Sequence, residues 1–148
     1  ITLSPGDHVV SMDIVRDACE LLVVTQKGMG KRTPLENYRL QTRGGKGLKT
    51  MALTEKGGHI VAGRVVCADD RMIILTSNGI AIRLRLNEVR CCGRSTMGVK
   101  LINLTAGDTV SSVAIVPRDE EEEVENGDGG NAENVDTADT VDSVDNGK

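Results

Sequence analysis

The hydrophobic positions of this chain fall into short runs that are separated by glycine turns. Residues 21–25 and 72–76 are aliphatic and β-branched, and each run ends at a turn, residues 26–28 or 77–79. The second turn contains Asn-Gly, which favours a β-hairpin because both central residues of a type I′ turn take positive φ. The pattern therefore predicts two hairpins at equivalent places in the chain.

From Ile80 to Leu86, aliphatic side chains alternate with a second set of positions that includes Arg83 and Arg85. A period of two places the aliphatic side chains on one buried face of a strand and the arginines on the other face. Valine and isoleucine positions in 61–65 and 110–115 supply further strand material. Because no stretch has the 3.6-residue apolar period of a packed helix, the sequence predicts an all-β protein.

Internal repeats organise the chain. An offset of 51 residues matches Gly28 with Gly79, Arg32 with Arg83, Arg43 with Arg94, Gly47 with Gly98 and Lys49 with Lys100. A second block recurs at residues 3–15, 53–66 and 104–116. A period near 50 residues is typical of propeller-like repeat architectures with about four short strands per blade. The predicted organisation is the end of a preceding blade at 1–20, a blade at 21–71, a final blade at 72–117 and a tail at 118–148.

Composition constrains the core and the setting of the protein. The 148 residues contain no Trp, no Phe and a single Tyr, so aliphatic side chains and methionines are expected to fill the core. The methionines expected there are Met12, Met51, Met72 and Met97. No apolar run approaches the length of a membrane span, so we expect no membrane association. Because the chain begins with Ile1 rather than Met, we expect a piece of a longer protein.

The net charge of −4 conceals two regions of opposite sign. Residues 1–117 contain 16 Lys and Arg against 10 Asp and Glu, whereas residues 118–148 contain 2 against 12. A basic body suits a polyanionic partner, and the acidic tail is expected to compete with that partner for the basic surface. The tail has few large apolar residues, so we expect it to be disordered.

The cysteines and histidines give little support for a metal site. Cys19, Cys67, Cys91 and Cys92 show no Cys-x-x-Cys spacing, and only His8 and His59 are available to complete a ligand set. Adjacent cysteines fit a disulfide framework poorly, so we expect reduced, partly buried thiols in a cytosolic protein. No metal or cofactor is expected in this chain.

A basic, glycine-rich segment at residues 41–47 carries the candidate chemistry. Its glycines allow positive φ and close approach of the backbone to a ligand, and its N–H groups are suited to an anion-binding nest. Cations recur at matching places in the second repeat, which favours binding to the phosphate backbone of duplex DNA without base recognition. The residues expected to contact DNA are Lys27, Lys31, Arg32, Arg43, Gly44, Gly45, Lys46, Gly47, Lys49, Arg83, Arg85, Arg90, Arg94 and Lys100.

Three motifs carry a resemblance to a known family. They are Gly-Lys-Arg-Thr-Pro at residues 30–34, Gln-Thr-Arg-Gly-Gly-Lys-Gly at 41–47, and Gly-Arg-Ser-Thr-Met-Gly-Val-Lys-Leu-Ile at 93–102. With Tyr38 between the first two, they resemble the C-terminal domain of the bacterial DNA gyrase A protein over about residues 1–117. The 41–47 segment is similar to the family's Gln-Arg-Arg-Gly-Gly-Lys/Arg-Gly box, with Thr42 in place of the first Arg. The distance of this segment from the tail implies that residues 21–71 resemble the fifth of the family's six blades and that residues 72–117 resemble the sixth.

The resemblance implies a β-pinwheel that wraps DNA on a basic rim, in a cytoplasmic enzyme that introduces negative supercoils with ATP. It implies no catalysis by this piece alone, because the catalytic tyrosine, ATP and Mg²⁺ belong to other parts of an A2B2 assembly of gyrase A and gyrase B proteins. Tyr38 is then expected to have a packing or rim role. Two alternatives stay open, namely the related domain of topoisomerase IV and a propeller-type protein-interaction module with a merely solubilising basic rim.

Overall fold

The computed structural model describes residues 1–117, and the predicted disordered tail at 118–148 lies outside the described residues. Residues 1–117 form seven β-strands and two single-turn 3₁₀-helices, which confirms the all-β prediction. The strands are β1 (Glu20–Thr25), β2 (Met29–Pro34), β3 (Ile60–Val66), β4 (Arg71–Thr76), β5 (Ala81–Arg85), β6 (Val99–Lys100) and β7 (Val110–Val116). The 3₁₀-helices, Leu35–Asn37 and Leu86–Glu88, follow β2 and β5 at equivalent places of the two repeats.

The strands form two antiparallel sheets, with strand orders β3-β1-β2-β6 and β5-β4-β7. Both predicted hairpins are present, since β1 pairs with β2 and β4 pairs with β5. Gly28 and Gly79 lie in the two hairpin turns with φ of 77° and 83°. Positive φ is the conformation that favours glycine over other residues, so the turn residues account for the positions of the hairpins.

One strand crosses from the second repeat to the first sheet. β6 belongs to the second repeat in sequence, but it pairs with β2, with Val99 opposite Gly30 and Lys100 opposite Met29. Gly98 precedes β6 with φ of 80°, and a Cβ atom there would lie 2.4 Å from the carbonyl oxygen of Gly30. Only glycine permits this approach. The predicted boundary between residues 71 and 72 therefore does not coincide with a boundary between the sheets.

The core is aliphatic and contains residues from both sheets. Leu22 and Val24 of β1 belong to the same buried cluster as Met72 and Ile74 of β4. Burying a side chain of this size contributes about 2 kcal/mol. Among the alternating positions of the second repeat, Leu86 is fully buried, as predicted.

Three apolar side chains that were expected in the core are exposed. Met51 is buried together with Met72, but Met12 and Met97 are 89% and 37% exposed. Ile80 is 44% exposed because it closes the β4–β5 turn, where its carbonyl accepts a hydrogen bond from the Thr76 N–H. Ile82 and Leu84 within β5 are half-buried, so of the four alternating aliphatic side chains only Leu86, in the following 3₁₀-helix, is fully buried.

The segment before β1 contains no strand and lies along the free edge of β3. Ser11 Oγ donates to the Gly63 carbonyl and accepts from the Gly63 N–H, at 3.0 and 3.1 Å. Asp13 accepts from the Val65 N–H at 3.0 Å, and Arg16 donates to the Val65 carbonyl at 3.1 Å. These side chains satisfy edge groups of β3 that would otherwise be available to another strand.

A disulfide joins Cys19 and Cys67, whose Cα atoms are 4.5 Å apart. The prediction of reduced thiols is wrong for this pair, whereas the other two cysteines are free as predicted. The reason is the strand register: Glu20 of β1 lies opposite Val66 of β3, so the two cysteines form the next cross-strand pair. Their 48-residue separation in sequence gives no sign of this proximity.

Candidate nucleic-acid interface

Lys27 and Lys100, two predicted DNA contacts from different repeats, line one surface cleft of about 650 Å³. Lys27 lies in the β1–β2 turn and Lys100 lies in β6, so the crossing strand brings them together. Lys56 lines the same cleft. It was not among the predicted contacts, although Lys56-Gly57-Gly58 is itself a basic glycine turn. Three ammonium groups around one cleft are suited to binding phosphate oxygens.

One of these ammonium groups is fixed by the backbone. Lys27 Nζ donates to the Glu55 carbonyl at 2.5 Å, and an ammonium has three protons to donate. Within residues 1–117 the Lys27 ammonium has no second acceptor, so two of its protons stay available to a ligand.

Arg94 lies at the surface between the two repeats. Its guanidinium carbon is 5.8 Å from the centroid of the Tyr38 ring, and its Nη1 donates to the Lys49 carbonyl at 3.1 Å. The Tyr38 hydroxyl is in turn hydrogen-bonded to Thr50 Oγ1. A guanidinium over an aromatic face is stabilised by about 0.5–1 kcal/mol at an exposed site. This geometry gives Tyr38 a supporting role under a surface cation.

The glycine-rich loop at 41–47 presents Arg43 and Lys46 as exposed side chains. Gly44 and Gly47 have φ of 75° and 87°. Thr2 holds the loop, because its hydroxyl donates to the Gly44 carbonyl at 2.8 Å and its N–H to the Gly45 carbonyl at 3.0 Å. The two glycines are therefore required by the path of the backbone, and the charge of the loop is left at the surface.

Arginines gather on the exposed face of the second sheet. Arg83 and Arg85 are exposed on β5, as the alternation predicts. The strand register puts Arg71 of β4 opposite Arg85, and the three arginines line a depression of about 280 Å³. Arg71 cannot be singled out from the sequence, because its partner across the sheet depends on the register.

Lys31 and Arg32 require a correction, because neither is available to DNA. Lys31 is fully buried, and its Nζ donates to the carbonyls of Gly93 at 2.7 Å and Arg94 at 2.9 Å, and to Thr96 Oγ1 at 3.2 Å. Burial lowers the pKa of the Lys31 ammonium, and the neighbouring Cys92 opposes part of that shift.

The guanidinium of Arg32 is likewise engaged within the protein. Its Nη1 forms an ion pair with Glu20 Oε2 at 2.6 Å, and its Nε donates to the Val89 carbonyl at 2.9 Å. The Arg32 N–H donates to the carbonyl of Arg90, whose side chain is exposed. Residues 89–96 of the second repeat thus cover β2, and this packing removes both Lys31 and Arg32 from the predicted contact surface.

The thiol of Cys91 is held in its neutral form. Its Sγ donates to Glu20 Oε1 at 3.1 Å, and this hydrogen bond together with burial raises the pKa of the thiol. A thiol held neutral is a poor nucleophile. Within residues 1–117, no three His, Cys, Asp or Glu side chains form a group that could hold a metal ion. The same residues include no helix of the length and hydropathy needed to cross a membrane.

Comparison with solved structures finds the same architecture in two type II topoisomerase domains. The C-terminal domain of DNA topoisomerase IV superposes with a TM-score of 0.62 at 29% identity, over 68% of this chain and 31% of that one. The DNA gyrase A C-terminal domain superposes with a TM-score of 0.63 at 25% identity, over 66% of this chain and 33% of that one. These likenesses support the predicted β-pinwheel fold.

Comparison of sequences identifies the family. The DNA gyrase A protein of Thermotoga maritima is 48% identical over 118 residues, covering 78% of this chain and 15% of that protein. The DNA gyrase A protein of Staphylococcus aureus strain MRSA252 is 44% identical over 125 residues, covering 83% of this chain and 14% of that protein. The chain thus spans about one seventh of the length of these curated relatives. The family model for the DNA gyrase C-terminal domain, beta-propeller, matches residues 20–67 and 70–117, once per repeat, and the chain belongs to this family.

Proposed function

We propose that this chain is a DNA-binding region of a gyrase A protein and that it binds duplex DNA through the phosphate backbone without base recognition. The observation that carries the proposal is the presence of surface cation clusters built from both repeats. They are the cleft of Lys27, Lys56 and Lys100 and the depression of Arg71, Arg83 and Arg85, together with the single guanidinium of Arg94, which donates to the Lys49 carbonyl. A strand that crosses between repeats joins cations of both into one cleft, which suits a long polyanion better than a small ligand.

In the parent protein we propose that this region wraps DNA, so that an ATP-dependent type II topoisomerase can introduce negative supercoils. The chain itself is proposed to catalyse nothing. Its partners would be gyrase B together with the rest of the gyrase A protein, in an A2B2 assembly that acts on DNA in the cytoplasm. ATP and Mg²⁺ are assigned in this proposal to other parts of that assembly.

The salt dependence of DNA binding tests the proposal. Replacing Lys27 and Lys100 by Met should weaken binding equally for two unrelated duplexes and lower the slope of log K against log salt by about 2. Arg64→Met is the matched control, because Arg64 is an exposed cation on β3 that the proposed interface does not include. A wild-type slope near zero would instead favour the propeller-type protein-interaction module, in which the cations serve solubility.

The C-terminal region of topoisomerase IV is a second candidate, favoured by the structural likeness at 29% identity. Gyrase is preferred because the two sequence relatives, at 48% and 44% identity, are both gyrase A proteins. A hybrid separates the two: assembled with gyrase B and supplied with ATP, the T. maritima gyrase A protein carrying residues 1–117 in place of its matched segment should introduce negative supercoils. A hybrid that folds and only relaxes DNA would favour topoisomerase IV.

A further inference from the structure

Lys31 is the largest fully buried side chain among residues 1–117. A buried ammonium is unfavourable unless each of its protons has an acceptor. All three protons of Lys31 have one, namely the Gly93 carbonyl, the Arg94 carbonyl and the Thr96 hydroxyl. None of these three partners is a carboxylate, so the charge of Lys31 is stabilised by dipoles rather than by an opposite charge.

The three acceptors belong to one turn, residues 93–96, which precedes β6 in the second repeat. The same strand that carries Lys31 also pairs with β6, through Met29 and Gly30. A Cβ atom at Gly98 would lie 3.2 Å from Lys31 Cβ, so the backbone from 93 to 98 lies closely against β2. Residues 93–100 form the segment that crosses to the first sheet. Lys31 binds the start of this crossing segment to the first sheet, and the pairing of β6 with β2 binds its end.

This turn carries a candidate DNA contact. The Arg94 carbonyl accepts from Lys31 inside the protein, while the Arg94 guanidinium lies over Tyr38 at the surface. Fixing the carbonyl limits where the side chain of the same residue can go. We propose that Lys31 is a positioning residue for the interface: its buried ammonium orders residues 93–96 and thereby presents Arg94 to the DNA backbone. The binding part of this inference rests on the proposed function, whereas the ordering part does not.

Amide hydrogen exchange of the full chain tests the ordering. Lys31→Met keeps most of the side-chain volume and removes the three donors. We expect amide exchange at residues 93–100 to become about tenfold faster or more. The ratio of exchange rates between β4 and β5 amides should not change. Arg64→Met is the control for loss of one positive charge and should leave exchange at 93–100 unchanged. Unchanged exchange at 93–100 in Lys31→Met would overturn the inference.

A double-mutant cycle on DNA affinity tests the positioning. We expect Lys31→Met to weaken DNA binding by about threefold to tenfold, and to have little further effect once Arg94 is replaced by Met, because the two residues act through one contact. A loss that persists undiminished in the Arg94→Met background would overturn the positioning role. If DNA does not bind at all but exchange at 93–100 still rises, the proposed function fails and the ordering role stands.

Thr96→Val keeps the inference testable if Lys31→Met does not fold. It removes one acceptor of the ammonium, at 3.2 Å, together with the hydrogen bonds of the Thr96 hydroxyl to the Gly93 carbonyl and to Cys92 Sγ, and it leaves the two carbonyl acceptors in place. We expect a smaller increase in exchange, about threefold, over the same residues 93–100. Exchange that rises uniformly over the protein, or not at all, would contradict a local role of the Lys31 ammonium.

Discussion

Removal of two surface charges from the glycine-rich loop gives a sharp test of phosphate binding. Arg43 and Lys46 are exposed, and no hydrogen bond or ion pair of their side chains is present among residues 1–117. The loop is held instead by backbone carbonyls of Gly44 and Gly45 that accept from Thr2. Replacing Arg43 and Lys46 by Ala should therefore leave the free energy of unfolding within about 0.5 kcal/mol of the wild type.

The expected effect on binding follows from counterion release. Each phosphate contact contributes about 0.9 to the slope of log K against log salt, so loss of two contacts flattens the slope by roughly 2. Between about 50 and 200 mM salt, the affinity advantage of the wild type over the variant should then shrink roughly tenfold. The effect should be equal for unrelated duplexes, because phosphates carry no base identity.

Fluorescence anisotropy with two unrelated duplexes of equal length, over a series of salt concentrations, measures both quantities. Circular dichroism of the variant checks the fold, and Arg64→Ala measures the effect of removing a cation outside the proposed interface. An unchanged slope would refute direct phosphate contact by the loop. A loss of affinity confined to one duplex would refute backbone recognition and indicate contact with bases.

Three further results are expected. Burial raises the pKa of Asp108, but hydrogen bonds from Ser77, Thr76 and the N–H groups of Asn78 and Thr109 outweigh it and hold the pKa below its usual value. The stability advantage of the wild type over Asp108→Asn should therefore be constant at neutral pH and be lost as pH falls through the folded pKa. Urea midpoints of the two proteins over a pH series measure this difference. Because Met12, Ile14 and Val15 are at least 69% exposed beside an apolar groove, the chain should self-associate in sedimentation, and a stable monomer would contradict this. Cutting after Val116 should tighten DNA binding at low salt if the acidic tail competes with DNA, and equal affinities there would exclude the competition.

Local patterns predicted the parts of the fold that local chemistry determines. The turns at 26–28 and at Asn78-Gly79 predicted both hairpins. The alternation around Arg83 and Arg85 predicted the exposed face of β5. These features depend on residues that are neighbours in sequence, so a period of two and a turn dipeptide are enough to predict them. The repeat was predicted separately, from the residues that match at an offset of 51.

Contacts between distant residues could not be predicted in this way. β6 has two residues, too few for a periodic signal, and its partner β2 is about 70 residues earlier in the chain. The register that joins Cys19 to Cys67 and sets Arg71 opposite Arg85 is likewise a property of the paired strands. Residue type misled at Lys31, because lysine is almost never fully buried unless its donors find partners.

Residues 93–100, which cross from the second repeat to the first sheet, account for two of these differences, the pairing of β6 with β2 and the burial of Lys31. They also show why the glycine-rich motif contains glycine. Gly98 has positive φ, and a Cβ atom there would lie 2.4 Å from the Gly30 carbonyl oxygen, so two separate constraints require glycine. Gly47, its equivalent in the first repeat, has φ of 87° but no atom closer than Ile1 Cδ1 at 3.6 Å. Gly98 thus serves the passage of the chain from the second sheet to the first, whereas at Gly47 only the positive φ requires glycine. In the proposed interface the phosphate contacts are made by the cations beside these glycines, since Arg43, which is exposed, and Arg94, which is half-buried, occupy equivalent positions of the two repeats.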